Sequence, residues 1–255
     1  MIPIRDDVPS RTFPIVNLTL IALNAVFFIA ELGMGPRLER FLYQAAVVPV
    51  LYTGPDGALG LGEVFGSTLD GPLRQRLLVS MFLHGGWAHI LGNMLYLWIF
   101  GDNVEDRLGH LRYAVFYLAC GFAASFAHIW ASPLSEVPSI GASGAIAGVL
   151  GAYLTLYPGA RVVALLPLGF FATFVQIPAF FFLGFWFLQQ FLAGSLSLGA
   201  PSAQAGGVAW WAHVGGFVAG IALVFFFQKR QHRPSRRETW WDDQPRYQHR
   251  RVRGW

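Results

Sequence analysis

Charge is scarce in this chain of 255 residues: Asp, Glu, Lys and Arg together make up 13%, about half the ~25% usual in soluble domains. So little charge argues against a water-soluble globular protein. Cysteine is scarcer still. The single Cys120 has no partner for an intrachain disulfide and no companions for a multi-cysteine metal site, and within an apolar run it reads as a small core residue. Also missing are an HExxH sequence, which removes a zinc-protease signature, and a small-residue cleavage site behind the first apolar run. That run, from Phe13 to about Gly33, is too long for the apolar core of a signal peptide and is expected to stay in the protein.

Apolar residues are abundant, at 55%, and they recur in runs of roughly 20, long enough as helices to cross a ~30 Å hydrocarbon core. The pattern predicts an all-α fold, a polytopic membrane protein built as a six-transmembrane-helix bundle. Its spans are expected at 13–33, 84–101, 110–131, 140–157, 174–193 and 208–228. Pro167 and Pro178 interrupt the apolar region around the fifth span and are expected to shorten, tilt or kink it. The domain organisation that follows is an N-terminal segment, 1–12; a membrane domain, 13–228, with a long outside loop at 34–83; and a basic tail, 229–255.

Six spans leave both termini on one side, and arginine and lysine choose the side. Fourteen of the 18 lie in the termini and in the loops on the same face, against four (Arg37, Arg40, Arg74 and Arg76) in the opposite loops. The positive-inside rule then places both termini in the cytoplasm. In the outside loop, "LERFLYQAAVVPVLY" is apolar enough to lie in the membrane interface and is followed by the glycine-rich "TGPDGALGLG". The tail, "QKRQHRPSRRETWWDDQPRYQHRRVRGW", reads as a solvated segment or a contact for anionic lipid head groups. Nucleic acid is not an expected partner.

Membrane spans carry few hydrogen-bonding side chains, so those that intrude are candidates for function. "HGGWAHILGN" places His84, His89 and Asn93 at the start of the second span, "GASG" places Ser143 at the start of the fourth, and "AHVGGFVAG" places His213 at the start of the sixth. All three spans enter from the outside, and the polar groups lie about five residues in, a common depth of roughly 8 Å at ~1.5 Å per residue. Each has a plainer reading. A serine often bonds its own backbone, and a lone histidine or the His89 and Asn93 pair, four apart on one helix face, can serve an interhelical bond. Their coincidence in one layer favours a shared site. Gly144 and Gly148, and likewise Gly216 and Gly220, are four apart, which lets the fourth and sixth helices approach closely and bring Ser143 to His213.

A serine hydroxyl becomes a nucleophile when a neutral histidine within ~2.6–3.2 Å takes its proton. The oxyanion then needs fixed donors, and His89, the Asn93 amide and the free backbone N–H groups at the start of the fourth helix, that of Ser143 included, are placed to supply them. The second, fourth and sixth spans hold no carboxylate, so a dyad is expected rather than a triad.

At these residues the sequence resembles the rhomboid family of intramembrane serine proteases, of prokaryotic type. The resemblance rests on "HGGWAHILGNMLYLWIFG", "GASGAIAG" and "AHVGGFVAG", in that order, with support from "IPIRDDVPSRTFP" and "GDNVEDRLGHLRY", and it extends from residue 2 to about 228. It implies a serine endopeptidase with Ser143 as nucleophile, His213 as general base, and His89 and Asn93 at the oxyanion. It further implies single-span membrane proteins as substrates, an active site opening to the outer side of a prokaryotic plasma membrane, no metal or other cofactor, and the fifth helix, with "AFFFLGFWF", as a side gate. One departure stands out. Some members carry a tyrosine one turn after the serine, stacked on the histidine, where this chain has Ala147; the group that orients His213 must come from elsewhere.

Two other readings compete. A catalytically inactive relative that binds transmembrane helices as an adaptor is expected to lack the serine or the histidine, and both are present. A transporter or channel using His84, His89 and His213 for a metal or for protons would be expected to carry intramembrane carboxylates, which this reading of the spans does not find.

Overall fold

The computed structural model describes residues 1–53, 72–169, 171–198 and 208–228. Most of the glycine-rich stretch of the first loop and the basic tail lie outside them. Strand β1 (Ile2–Asp6) precedes helix α1 (Ile15–Leu32). The short helices α2 (Leu38–Ala45), α3 (Val50–Thr53) and α4 (Pro72–Val79) follow, then the long α5 (Trp87–Leu108) and α6 (His110–Ala131), and α7 (Ser143–Leu156). Strands β2 (Arg161–Leu168) and β3 (Phe171–Pro178) lead into α8 (Ala179–Ser197), and α9 (Trp210–Phe227) closes the described chain.

Helices α1, α5, α6, α7, α8 and α9 stand where the six spans were read. Four of them, α1, α6, α8 and α9, are long and apolar enough to cross a membrane. Helix α5 ends in a charged stretch, Asp102 to Arg107. Helix α7 has 14 residues, about 21 Å at ~1.5 Å per residue, which is short of a ~30 Å core. The nucleophile candidate therefore begins a helix that starts inside the bundle.

Two expectations need correction. The fifth span was expected over 174–193, but residues up to Pro178 are strand and the helix begins at Ala179. Short apolar runs fit strand and helix alike by periodicity, and here Val162, Val163, Val175 and Ile177 favour the strand while Gly169, at φ 68°, turns the hairpin. Pro178 does not kink α8; it caps its start. The second correction concerns charge in the spans: Glu31 lies in the last turn of α1 and is buried.

The three strands form one antiparallel sheet in the order β1, β2, β3, with Asp6 opposite Val162 and Arg161 opposite Pro178. The sheet ties the N-terminus to the hairpin that feeds α8, at the end of the bundle away from Ser143. The polar residues of "GDNVEDRLGH" fasten the same end. The fully buried Glu105 carboxylate accepts from the backbone N–H groups of Val16 (3.0 Å) and Asn17 (2.7 Å), supplying the first turn of α1 with acceptors that its own residues lack. Asn17 in turn donates to the Leu97 carbonyl and accepts from the Tyr113 hydroxyl, both at 2.9 Å, which joins α1 to α5 and α6.

Glycine sets the spacing in the centre. A Cβ added at Gly216 would overlap the carbonyl of Gly144, one at Gly220 that of Gly148, and one at Gly151 that of Phe217. Helices α7 and α9 thus meet backbone to backbone, the close approach expected of their small residues. Cys120 is free and buried, and its side chain occupies the space a Cβ at Gly148 would need. The first loop is anchored as well: Val47 pairs with Ser139 through N–H to carbonyl bonds of 3.0 and 2.8 Å, four residues ahead of Ser143.

Candidate active site

The turn before α7 explains its sequence. Gly141 has φ 123°, a backbone conformation that L side chains rarely adopt, and a Cβ there would sit 2.7 Å from Nε2 of His89. Its N–H donates to the Ser80 carbonyl at 2.8 Å, so the approach to Ser143 is fixed by two backbone constraints. Glycine alone lets the histidine lie against the turn.

Across the α7 and α9 contact, Ser143 Oγ lies 2.8 Å from Nε2 of His213. On the other side of the ring, Nδ1 lies 2.8 Å from Oε1 of Gln190 on α8. Trp186, one turn before Gln190, tilts over the imidazole with ring centroids 5.9 Å apart, and Trp210 meets it edge-on at 6.3 Å. Orientation of His213 therefore comes from α8 and from Trp210, with no contribution from position 147, where the alanine is buried.

His89 and Asn93 sit on one face of α5 and line the same cavity of about 580 Å³ as Ser143, Trp186, Gln190 and His213. The Gly85 N–H donates to Nδ1 of His89 at 3.3 Å, which leaves the proton of a neutral ring on Nε2, the nitrogen beside Gly141. Asn93 is buried, and its Nδ2 lies 3.0 Å from Nε2 of His84. One amide hydrogen meets the ring and the second remains for the cavity. His84 is held in turn: its backbone N–H lies 3.2 and 3.3 Å from the two carboxylate oxygens of Glu31, and its ring meets that of His89 edge-on at 5.0 Å.

The structure thus brings Ser143, His213, His89 and Asn93 to one cavity, places His84 behind Asn93, and adds Gln190 and Glu31. Both additions carried a signal, since an amide in "FWFLQQFLAG" and a carboxylate at the end of the first span are rare in membrane helices.

The Rhomboid domain family model matches residues 74–230, more than half of the chain and the whole of the described site apart from Glu31. The chain belongs to the rhomboid family. This rhomboid is 35% identical over 164 residues to RHOMBOID-like protein 4 of Arabidopsis thaliana, covering 62% of this chain and 35% of that protein. It is 38% identical over 148 residues to the Rhomboid protease GluP of Bacillus subtilis, covering 58% and 26%, and 35% identical over 144 residues to the Putative rhomboid protease YdcA of the same bacterium, covering 56% and 63%. The matches span about a third or less of the length of the first two relatives. With relatives named as proteases and a bundle of apolar helices, this rhomboid is an integral membrane protein of a protease family.

Proposed function

We propose that this rhomboid is an intramembrane serine endopeptidase that cuts transmembrane segments of membrane proteins through a Ser143 and His213 dyad. The observation that carries the reading is the 2.8 Å contact between Ser143 Oγ and His213 Nε2 in a cavity shared with His89 and Asn93. His213 Nε2 takes the Ser143 proton as Oγ bonds to the scissile carbonyl carbon, and the carbonyl π electrons move onto its oxygen. The Nε2–H of His89, the free Nδ2–H of Asn93 and the Ser143 backbone N–H at the start of α7 receive that charge. The oxyanion collapses, the C–N bond breaks, and the imidazolium returns its proton to the leaving amine. Water repeats the sequence on the acyl ester and restores Ser143.

A helical substrate shields its carbonyls with its own hydrogen bonds, so single-span proteins whose helix unwinds locally are the fitting substrates. The arginine and lysine distribution favours cytoplasmic termini and a cavity mouth on the outer side, and the resemblance to prokaryotic members favours the plasma membrane as its site.

Cleavage of a single-span substrate by purified, reconstituted protein tests the proposal. Ser143→Ala and His213→Ala are each expected to lower the rate by at least ~10³-fold with folding intact. Equal cleavage by all three proteins would overturn the dyad, and a wild type that binds substrate but neither cleaves it nor reacts with a fluorophosphonate would be a helix-binding adaptor.

A further inference from the structure

Gln190 is buried, one of five buried residues on α8, whose remaining faces carry exposed rings such as Phe181 and Phe185. A primary amide in such a place costs free energy unless both its ends are bonded. Both are. Its Nε2 donates to the carbonyl of Trp186, one turn back on its own helix, at 3.3 Å, and that carbonyl can only accept. The amide oxygen is thereby turned toward Nδ1 of His213, 2.8 Å away. An oxygen that only accepts requires a proton on Nδ1, and the neutral ring then offers its lone pair at Nε2, which faces Ser143 Oγ at 2.8 Å. The backbone of α8 therefore dictates, through two bonds in series, which nitrogen of His213 is the base.

We propose that Gln190 is a positioning residue, the third group of the site, which holds His213 in the tautomer and orientation that proton abstraction from Ser143 needs. The inference rests on the dyad reading above. In serine proteases with a carboxylate at this position the third group both orients the ring and stabilises the imidazolium. A neutral amide does the first and gives little of the second. It also has a practical consequence: the three groups come from three helices, α7, α9 and α8, so the line Ser143, His213, Gln190 is complete only while α8 lies against α9, where Phe187 stacks on Phe217 at 4.8 Å.

The test uses the full chain reconstituted in lipid and compares wild type, Gln190→Leu, Gln190→Glu and Ser143→Ala. Substrate cleavage and fluorophosphonate labelling of Ser143 are each followed across pH. Gln190→Leu keeps the size of the side chain and removes the acceptor; kcat is expected to fall about 10- to 100-fold with KM changed less than about twofold, and labelling to slow in proportion. Gln190→Glu restores an acceptor and adds a charge; it is expected to keep activity within a few-fold of wild type and to move the acid limb of the rate profile to higher pH. A packing role alone would lower thermal stability in both variants and leave the profile in place. Wild-type rates in Gln190→Leu, or loss of activity in both variants with an unmoved profile, would overturn the proposal. Failure of the dyad itself reads differently, as a wild type no faster than Ser143→Ala, and the inference falls with it.

Discussion

An amide side chain stabilises an oxyanion only if its N–H is already aimed when the charge appears, because reorientation during the reaction consumes the gain. Asn93 meets this condition through a chain of contacts that begins on another helix: Glu31 holds the His84 backbone and the His84 ring holds the Asn93 amide. Asn93→Ala is accordingly expected to lower kcat about 10²- to 10³-fold with KM nearly unchanged, measured on the reconstituted enzyme. Glu31→Ala should act on the same step at one remove, leaving a buried N–H without its acceptor at a cost of about 1–3 kcal/mol. Lower thermal stability and lower kcat are both expected there, with Glu31→Gln recovering most of each because an acceptor oxygen remains. If Glu31→Ala lost stability alone, the chain of contacts would end at His84. At this scale Ser143, His213, His89 and Asn93 were legible because short motifs put them at one depth. Gln190 and Glu31 are visible as polar groups in apolar helices, but their roles were not legible, since no motif marks them and each acts through a fold-dependent contact with a residue more than twenty positions away.

Between elements, the contact of α7 with α9 decides whether the dyad exists. Interior helices in a membrane gain nothing from burying apolar surface that lipid would cover equally well, so close packing of small residues has to hold them together. Gly220→Val places its side chain against the Gly148 carbonyl, which is backbone and cannot move aside. The helices must separate, and with them Ser143 and His213. Cleavage is expected to fall more than ~10²-fold, since a displacement of about 1 Å is enough for that, with loss of thermal stability. Gly184→Ala on α8, where a Cβ meets nothing within 4 Å, is the matched control and should be neutral or slightly stabilising. Should Gly220→Val cleave at the wild-type rate, backbone contact would not be what sets the dyad distance. The helices themselves could be read from hydropathy, because even the shortest of the six, α7 at 14 residues, is longer than an ordinary strand. The hairpin of β2 and β3 could not: its strands of 8 residues each are as short and apolar as a helix end, and the other partner of β2, β1, lies more than 150 residues away.

For the molecule as a whole, the end opposite the cavity is closed by the sheet, and its fastening is ionisable. Asp6, at the end of β1, accepts from the Tyr153 hydroxyl on α7 and from Nδ2 of Asn103 on α5 at 2.8 Å. Burial pushes its carboxyl up from 3.8 to about 6; the Tyr153 hydrogen bond opposes this and the nearby Asp102 adds to it. The folded protein therefore holds this proton more tightly than the unfolded chain does. Its stabilising contribution is complete below the ordinary carboxylate value of 3.8 and is lost as pH rises through about 6. The thermal unfolding temperature of the wild type should consequently decline more between about pH 4 and 6 than that of Asp6→Asn, whose amide keeps an acceptor for Tyr153 and has no proton to lose in that range. Hydrogen exchange at β1 should follow the same difference, because the strand is fastened to the bundle through this side chain. Parallel curves for the two proteins would mean that the sheet is held by its backbone ladder alone and that the carboxyl at its edge is a bystander.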